Sequence, residues 1–195
     1  MQIIRIISDT VRTLCEGELF QILERGNMQL DIDSYLEVLQ RKTAVLFGAS
    51  CKCGALLAGA SEKEIANLEA YGSHLGIVFQ IVDDYLDIMG DEKTLKKAPG
   101  QDLDKGEITL PVLYLLESSD PPEKDRILHL ISSQDNESLI VIRSKIQASE
   151  APEKTKRLAF DYLTRAEHNA SLLPESTYKN GLIDLAQFVR KRGFE

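Results

Sequence analysis

The sequence predicts an all-α protein, and three observations carry that prediction. Apolar residues recur at spacings of three and four along most of the chain, and no sustained strand alternation appears. Helix start and stop signals bracket those runs: Ser61 to Glu64, "SEKE", has capping-box spacing, and Gly90 closes a long apolar stretch. The composition, 43% hydrophobic and 28% charged, is that of an ordinary globular chain. With 195 residues and no linker, repeat or low-complexity tract, one domain over 1–195 with a sizeable core is expected.

The elements follow in order. A short apolar run at residues 1–8 has no signal-peptide cleavage pattern and continues into an amphipathic segment, which predicts a helix over about 2–25. The second helix, about 33–59, contains the longest weakly polar run, Thr43 to Ala60. Lys52 in its middle, among Gly, Ala and Ser, favours a buried packed helix over a membrane span. The Ser61 cap opens a third helix over 62–89. Shorter helices are expected at about 110–118, 122–133 and 137–148, then longer ones at 153–173 and 177–191. "DPPEKD" (120–125) and "APEK" (151–154) put prolines where a first turn tolerates them. Residues 91–108, dense in Lys and Asp and holding Pro99, Gly100 and Gly106, read as one long loop. Loops of that length in compact domains are uncommon and often serve binding.

The net charge of -8 argues against a nucleic-acid partner, although local lysines can still hold a phosphorylated ligand. Cys15, Cys51 and Cys53 are odd in number, and the CxC pair has no nearby His to complete a zinc site. They read as buried free thiols in a reducing compartment, so a cytoplasmic location is expected.

The chemistry lies in "FQIVDDYLDIMGD", Phe79 to Asp91, where Asp83, Asp84 and Asp87 interrupt an apolar helix. Asp83 and Asp87 are one turn apart, and Gln80 lies on the same stripe. Buried carboxylates need a partner or become protonated. Mg²⁺ is one such partner, since it takes one or two carboxylates and completes its shell with water and substrate phosphates. Lys93, Lys96 and Lys97 on the following loop could neutralise the same phosphates. A solvated or lysine-paired acidic stripe fits the spacing equally, and on that reading the chain is an acidic helical interaction module.

Longer stretches decide further. "GIVFQIVDDYLDIMGD" followed by "KAPGQDLDKGEITLPVLYLLE" resembles the second aspartate-rich motif and following loop of the trans-polyprenyl diphosphate synthases. "CEGELFQI" (15–22) resembles that family's GExxQ helix, "RKTAVLFGASCKCGA" (41–55) its KTAxLF helix, and "LIDLAQFVRKR" its last helix. The resemblance covers nearly the whole chain. It implies an isoprenoid-synthase-type helical bundle around an apolar cavity. The implied reaction is head-to-tail condensation of an allylic diphosphate with isopentenyl diphosphate, through Mg²⁺-assisted diphosphate ionisation. It also implies roles. Asp83 and Asp87, with Asp84 beside them, would bind Mg²⁺. Lys42 and Lys97 would contact the allylic diphosphate. Thr43 and Gln80 would present oxygens to the developing cation, and Asp102 would order the closing loop.

The chain departs from the family pattern in three places. Lys96 replaces a usual Gly, and Glu107 replaces a frequent Lys after Gly106. The third is an absence. No first aspartate-rich motif and no basic site for isopentenyl diphosphate stand in these 195 residues, so the bundle is expected to miss its N-terminal helices. Apolar helix faces should then be left uncovered. Two functional expectations follow from the resemblance. One is the C-terminal part of a synthase, inactive alone and homodimeric through the helices at 2–25 and 33–59. The other is a regulatory or binding subunit of a heteromeric synthase.

Overall fold

A computed structural model of the protein describes residues 1–90, 100–133 and 135–194. Among these residues every regular element is a helix: α1 Gln2–Glu24, α2 Ile32–Leu39, a π turn Gln40–Ala44, α3 Val45–Leu57, α4 Glu62–Met89 and α5 Gln101–Asp104. After these come α6 Leu110–Ser118, α7 Pro121–Ser133, α8 Asn136–Gln147, α9 Ala151–Ser171 and α10 Thr177–Phe194. No described helix is long and apolar enough to cross a membrane.

The capping box at Ser61 acts as read. The backbone N–H of Ser61 donates to Glu64 Oε2 at 2.8 Å, and Glu64 N–H donates back to the Ser61 hydroxyl, so the box opens α4. Asp31 caps α2 by accepting from Ser34 N at 2.7 Å, and Asp135 caps α8 by accepting from Ser138 N at 2.8 Å. Gly90 does end α4, but with extended backbone (φ −67°, ψ 160°) rather than a left-handed cap.

α4 is the central helix and packs most extensively on α3 and α9. Ile77, Val78, Ile81 and Val82 of α4 are at most 2% exposed, and each such side chain contributes about 1.5–3 kcal/mol on burial. The α3 side of α4 is close because it carries glycine. A Cβ on Gly72 would sit 2.5 Å from the Phe47 carbonyl oxygen, and one on Gly76 would sit 2.7 Å from Ala44 Cα. Tyr71 joins α4 to α10 by donating to the Leu182 carbonyl at 2.7 Å.

Three sequence expectations change. The helix expected over 33–59 is interrupted by the π turn, which holds an extra residue per turn. The expected loop contains a short helix, α5, opened by Gly100 at φ +87°. The cysteines are free but none is fully buried, and Cys15 is exposed. The expectation of uncovered apolar faces is met on α1, where Ile4, Ile7, Val11, Leu19, Ile22 and Leu23 are each half or more exposed.

Candidate functional site

A cavity of about 460 Å³ opens between α1, α2, the π turn, α4 and the α5–α6 segment. Its floor is the polar stripe of α4, and the π turn supplies a wall. The turn abuts α1 because Gly17 has no side chain there: a Cβ at Gly17 would stand 2.7 Å from the Lys42 backbone nitrogen. That contact seats Lys42 on the cavity wall. π turns of this kind recur at functional sites.

A chain of side-chain hydrogen bonds crosses the floor. Thr43 Oγ1 donates to Gln80 Oε1 at 2.9 Å, and Gln80 Nε2 donates to Asp84 Oδ1 at 2.8 Å. The Tyr35 hydroxyl donates to Asp84 Oδ2 at 2.7 Å. Burial pushes the Asp84 carboxyl up to about 7, against the lowering pull of its two donors and of Lys42. Burial, with the Asp84 charge next to it, also holds the Tyr35 phenol well above its ordinary range.

The three carboxylates of "DDYLD" therefore have three environments. Asp83 lines the cavity with its side chain 48% exposed, 3.4 Å from Arg192 at the end of α10. Asp84 is buried and bonded as above. Asp87 is 0% exposed and faces α5. Its Oδ2 accepts the Asp102 N–H at 3.1 Å, and its own carbonyl accepts the Gly100 N–H at 2.7 Å. Asp102 lines the cavity one step further on, with its carboxyl raised first by burial and then by the Asp87 charge. The sequence reading placed Asp83 and Asp87 on one metal ion. In the structure Asp83 lines the cavity while Asp87 is buried against α5, and no cluster of three or more candidate metal-binding residues forms among the described residues. It does bring together Lys42, Thr43, Gln80, Asp83, Asp84 and Asp102. Lys97, with Lys93 and Lys96, lies outside the described residues.

Sequence reasoning missed several site residues. Tyr35 sits in an ordinary amphipathic run, and nothing local pairs it with a residue 49 positions away. Gln21 and Arg25 of α1 both donate to Glu107, Gln21 Nε2 at 2.8 Å and Arg25 Nη2 at 2.7 Å. Glu107 was visible as a departure in charge; its neutralisation by Arg25 was not. Gln21 was within reach, since it stands in the quoted "CEGELFQI".

The charge of the cavity restricts its ligands. Glu18, Glu24, Asp83, Asp84, Asp102 and Glu107 line it, against Arg25, Lys42 and Lys105. Among the described residues six carboxyls line it against three cations, which leaves that part of the lining acidic. Asp83 reaches the cavity half exposed with Arg192 3.4 Å away, and a single exposed carboxylate suits a hard cation that keeps waters and takes few carboxylates.

An all-helical wall with an acidic cavity at a DDxxD stripe defines the class. The profile of the polyprenyl synthetase family matches residues 1–148, and the chain belongs to that family. It is 36% identical over 190 residues to heptaprenyl diphosphate synthase component 2 of Bacillus subtilis (strain 168), covering 97% of this chain and 54% of that protein. Against octaprenyl diphosphate synthase of Escherichia coli (strain K12) it is 30% identical over 193 residues, covering 98% and 60%. Among solved structures it resembles a decaprenyl diphosphate synthase from Rhodobacter capsulatus, with TM-score 0.92, 30% identity and coverage of 100% of this chain and 61% of that one. A polyprenyl synthase from Caulobacter crescentus complexed with calcium and isoprenyl diphosphate gives TM-score 0.92 and 33% identity, covering 99% and 60%. The fold is therefore the all-α isoprenoid synthase fold. The chain spans little more than half the length of these relatives.

Proposed function

We propose that this chain forms one wall of a prenyltransferase site, in which an allylic diphosphate ionises and isopentenyl diphosphate captures the resulting cation. The observation that carries the reading is the ordered floor of the cavity, from Thr43 through Gln80 to Asp84, beside Lys42 and the cavity-facing Asp83. In this reading residues 1–195 act as one domain in a cytoplasmic setting.

Asp83 is the direct oxygen donor for Mg²⁺, with Asp84 and Asp87 holding the helix and α5 around it. Magnesium, when bound, offsets the negative charge of the cavity and of the departing diphosphate. Lys42 and Lys97 bind diphosphate oxygens as point charges. Thr43 and Gln80 offer oxygens to the allylic cation. Asp102, tied through its N–H to Asp87, orders the segment that closes the site. The support for cations at this site is the excess of carboxyls among the described residues that line it.

The 195 residues contain no other DDxxD, so an allylic diphosphate held here lacks a second metal-binding wall within this sequence. On its own the chain should show negligible condensation of allylic and isopentenyl diphosphates. A product-formation assay with radiolabelled isopentenyl diphosphate and Mg²⁺ tests this, and a clear rate from the purified chain would refute it.

A second reading makes the chain a non-catalytic or regulatory subunit of a heteromeric synthase, or one half of a homodimer. The uncovered apolar face of α1 supports a partner, as does the name "component 2" carried by two relatives. A pull-down from the source cell that finds no synthase-like partner, with no change in any partner's rate, counts against it.

A further inference from the structure

Asp84 lies within the aspartate stripe but does not face the cavity as a free carboxylate. Both its oxygens are taken by side chains, Oδ2 by the Tyr35 hydroxyl at 2.7 Å and Oδ1 by the Gln80 amide at 2.8 Å. Asp84 and Tyr35 are 5% and 4% exposed, so water does not substitute easily for either donor. We propose that Tyr35 and Asp84 are positioning residues that set the hydrogen-bond direction of Gln80 and Thr43. They thereby leave Thr43 to offer hydroxyl lone pairs, rather than its proton, to positive charge in the cavity. The inference rests on the prenyl-transfer reading above.

The direction follows from donor and acceptor chemistry. The Gln80 NH₂ group donates to Asp84 Oδ1, an oxygen that accepts whenever any proton on the Asp84 carboxyl rests on Oδ2, beside the Tyr35 oxygen. Tyr35 occupies Oδ2, which keeps Oδ1 the acceptor for Gln80. The Gln80 carbonyl then points to Thr43, as observed at 2.9 Å, and takes the Thr43 hydroxyl hydrogen. What remains on Thr43 Oγ1 is its lone pairs. If Asp84 could donate instead, the Gln80 amide could reverse. Its NH₂ would then face Thr43, whose hydrogen would be free to point at the cation and oppose it. Tyr35 acts from α2, Thr43 from the π turn and Gln80 and Asp84 from α4, so the arrangement also fixes three elements relative to one another.

The test compares two isoprenoid diphosphate analogues of equal length by calorimetry, on the full chain with Mg²⁺. One is a thiolodiphosphate whose prenyl chain is uncharged; the other carries an ammonium where the allylic cation would form. The unaltered chain should favour the ammonium analogue. Tyr35→Phe and Asp84→Asn should each lower that preference, read as the ratio of the two affinities, about tenfold, the scale of one hydrogen bond to a charge. Circular dichroism reports whether each variant is folded. If Tyr35→Phe does not fold, Asp84→Asn, nearly isosteric with the unaltered chain, gives the decision. A folded variant with an unchanged preference, or with both analogues weakened equally, overturns the inference. An unaltered chain that binds neither analogue sinks the prenyl-transfer reading and this inference with it. That result is distinct from an unaltered chain that binds both and variants that keep its preference.

Discussion

α4 and α1 are both long, both largely apolar, and differ in what surrounds them. α4 is packed against α3 and α9, with glycines at the closest approach and a hydrogen-bonded polar stripe at its cavity end. α1 is held on one side, where Gly17 meets the π turn and Gln21 and Arg25 grip Glu107, and is uncovered on the other. The difference teaches that apolar content alone does not say what a helix does. On α4 the departures from apolarity, glycine and aspartate, mark where backbones touch and where a ligand would sit. On α1 the apolar residues themselves mark the uncovered surface.

The sharpest way to break the contrast is to crowd α4. Gly76→Ala puts a methyl group 2.7 Å from the Ala44 Cα, which is backbone and cannot rotate away. Overpacking of this kind should cost about 3 kcal/mol in urea unfolding, at the upper end for an added methyl. Tyr35→Phe should cost less, about 1–3 kcal/mol, because it leaves a buried carboxyl oxygen without its donor. At the smallest end, Ile7→Lys and Leu23→Lys on the open face of α1 should move stability by less than about 0.5 kcal/mol. The same two changes should lower self-association in sedimentation runs, whereas equal loss of stability from both helices would erase the contrast.

Asp84 adds a pH test of the buried stripe. Its carboxyl is raised by burial to about 7 in the folded chain, from an ordinary value near 4 when unfolded. Between those values the folded state holds the proton and the unfolded state does not, so stability falls as pH rises. The stabilising share is fully present below about pH 4 and is lost through about pH 7. Metal-free unfolding curves across that range should show the decline, and Asp84→Asn should flatten it.

Most of the fold was legible because helix periodicity, capping and proline placement are local. Ser61, Gly90 and the prolines at 121 and 152 set helix ends close to where they occur. The π turn was not legible, and its close contact with Gly17 joins residues about 25 positions apart. The candidate site was half legible. Lys42, Gln80, Asp83, Asp84 and Asp102 do meet at one cavity. Helical spacing suggested that Asp83 and Asp87 work as a pair, but α5 turns back to occupy Asp87, and Tyr35 arrives from α2 to occupy Asp84. Tertiary partners of this kind leave no trace in spacing.

The central claim is that the acidic stripe holds a diphosphate through a cation, rather than lying as a solvated face. Calorimetric titration of an unreactive allylic diphosphate analogue, with and without Mg²⁺, on the unaltered chain and on Asp83→Ala tests it most directly. The account predicts binding that requires Mg²⁺ and weakens by at least about tenfold in Asp83→Ala, the minimum expected for loss of a charged oxygen ligand. Binding indifferent to both Mg²⁺ and Asp83, or no binding under any condition, would contradict it.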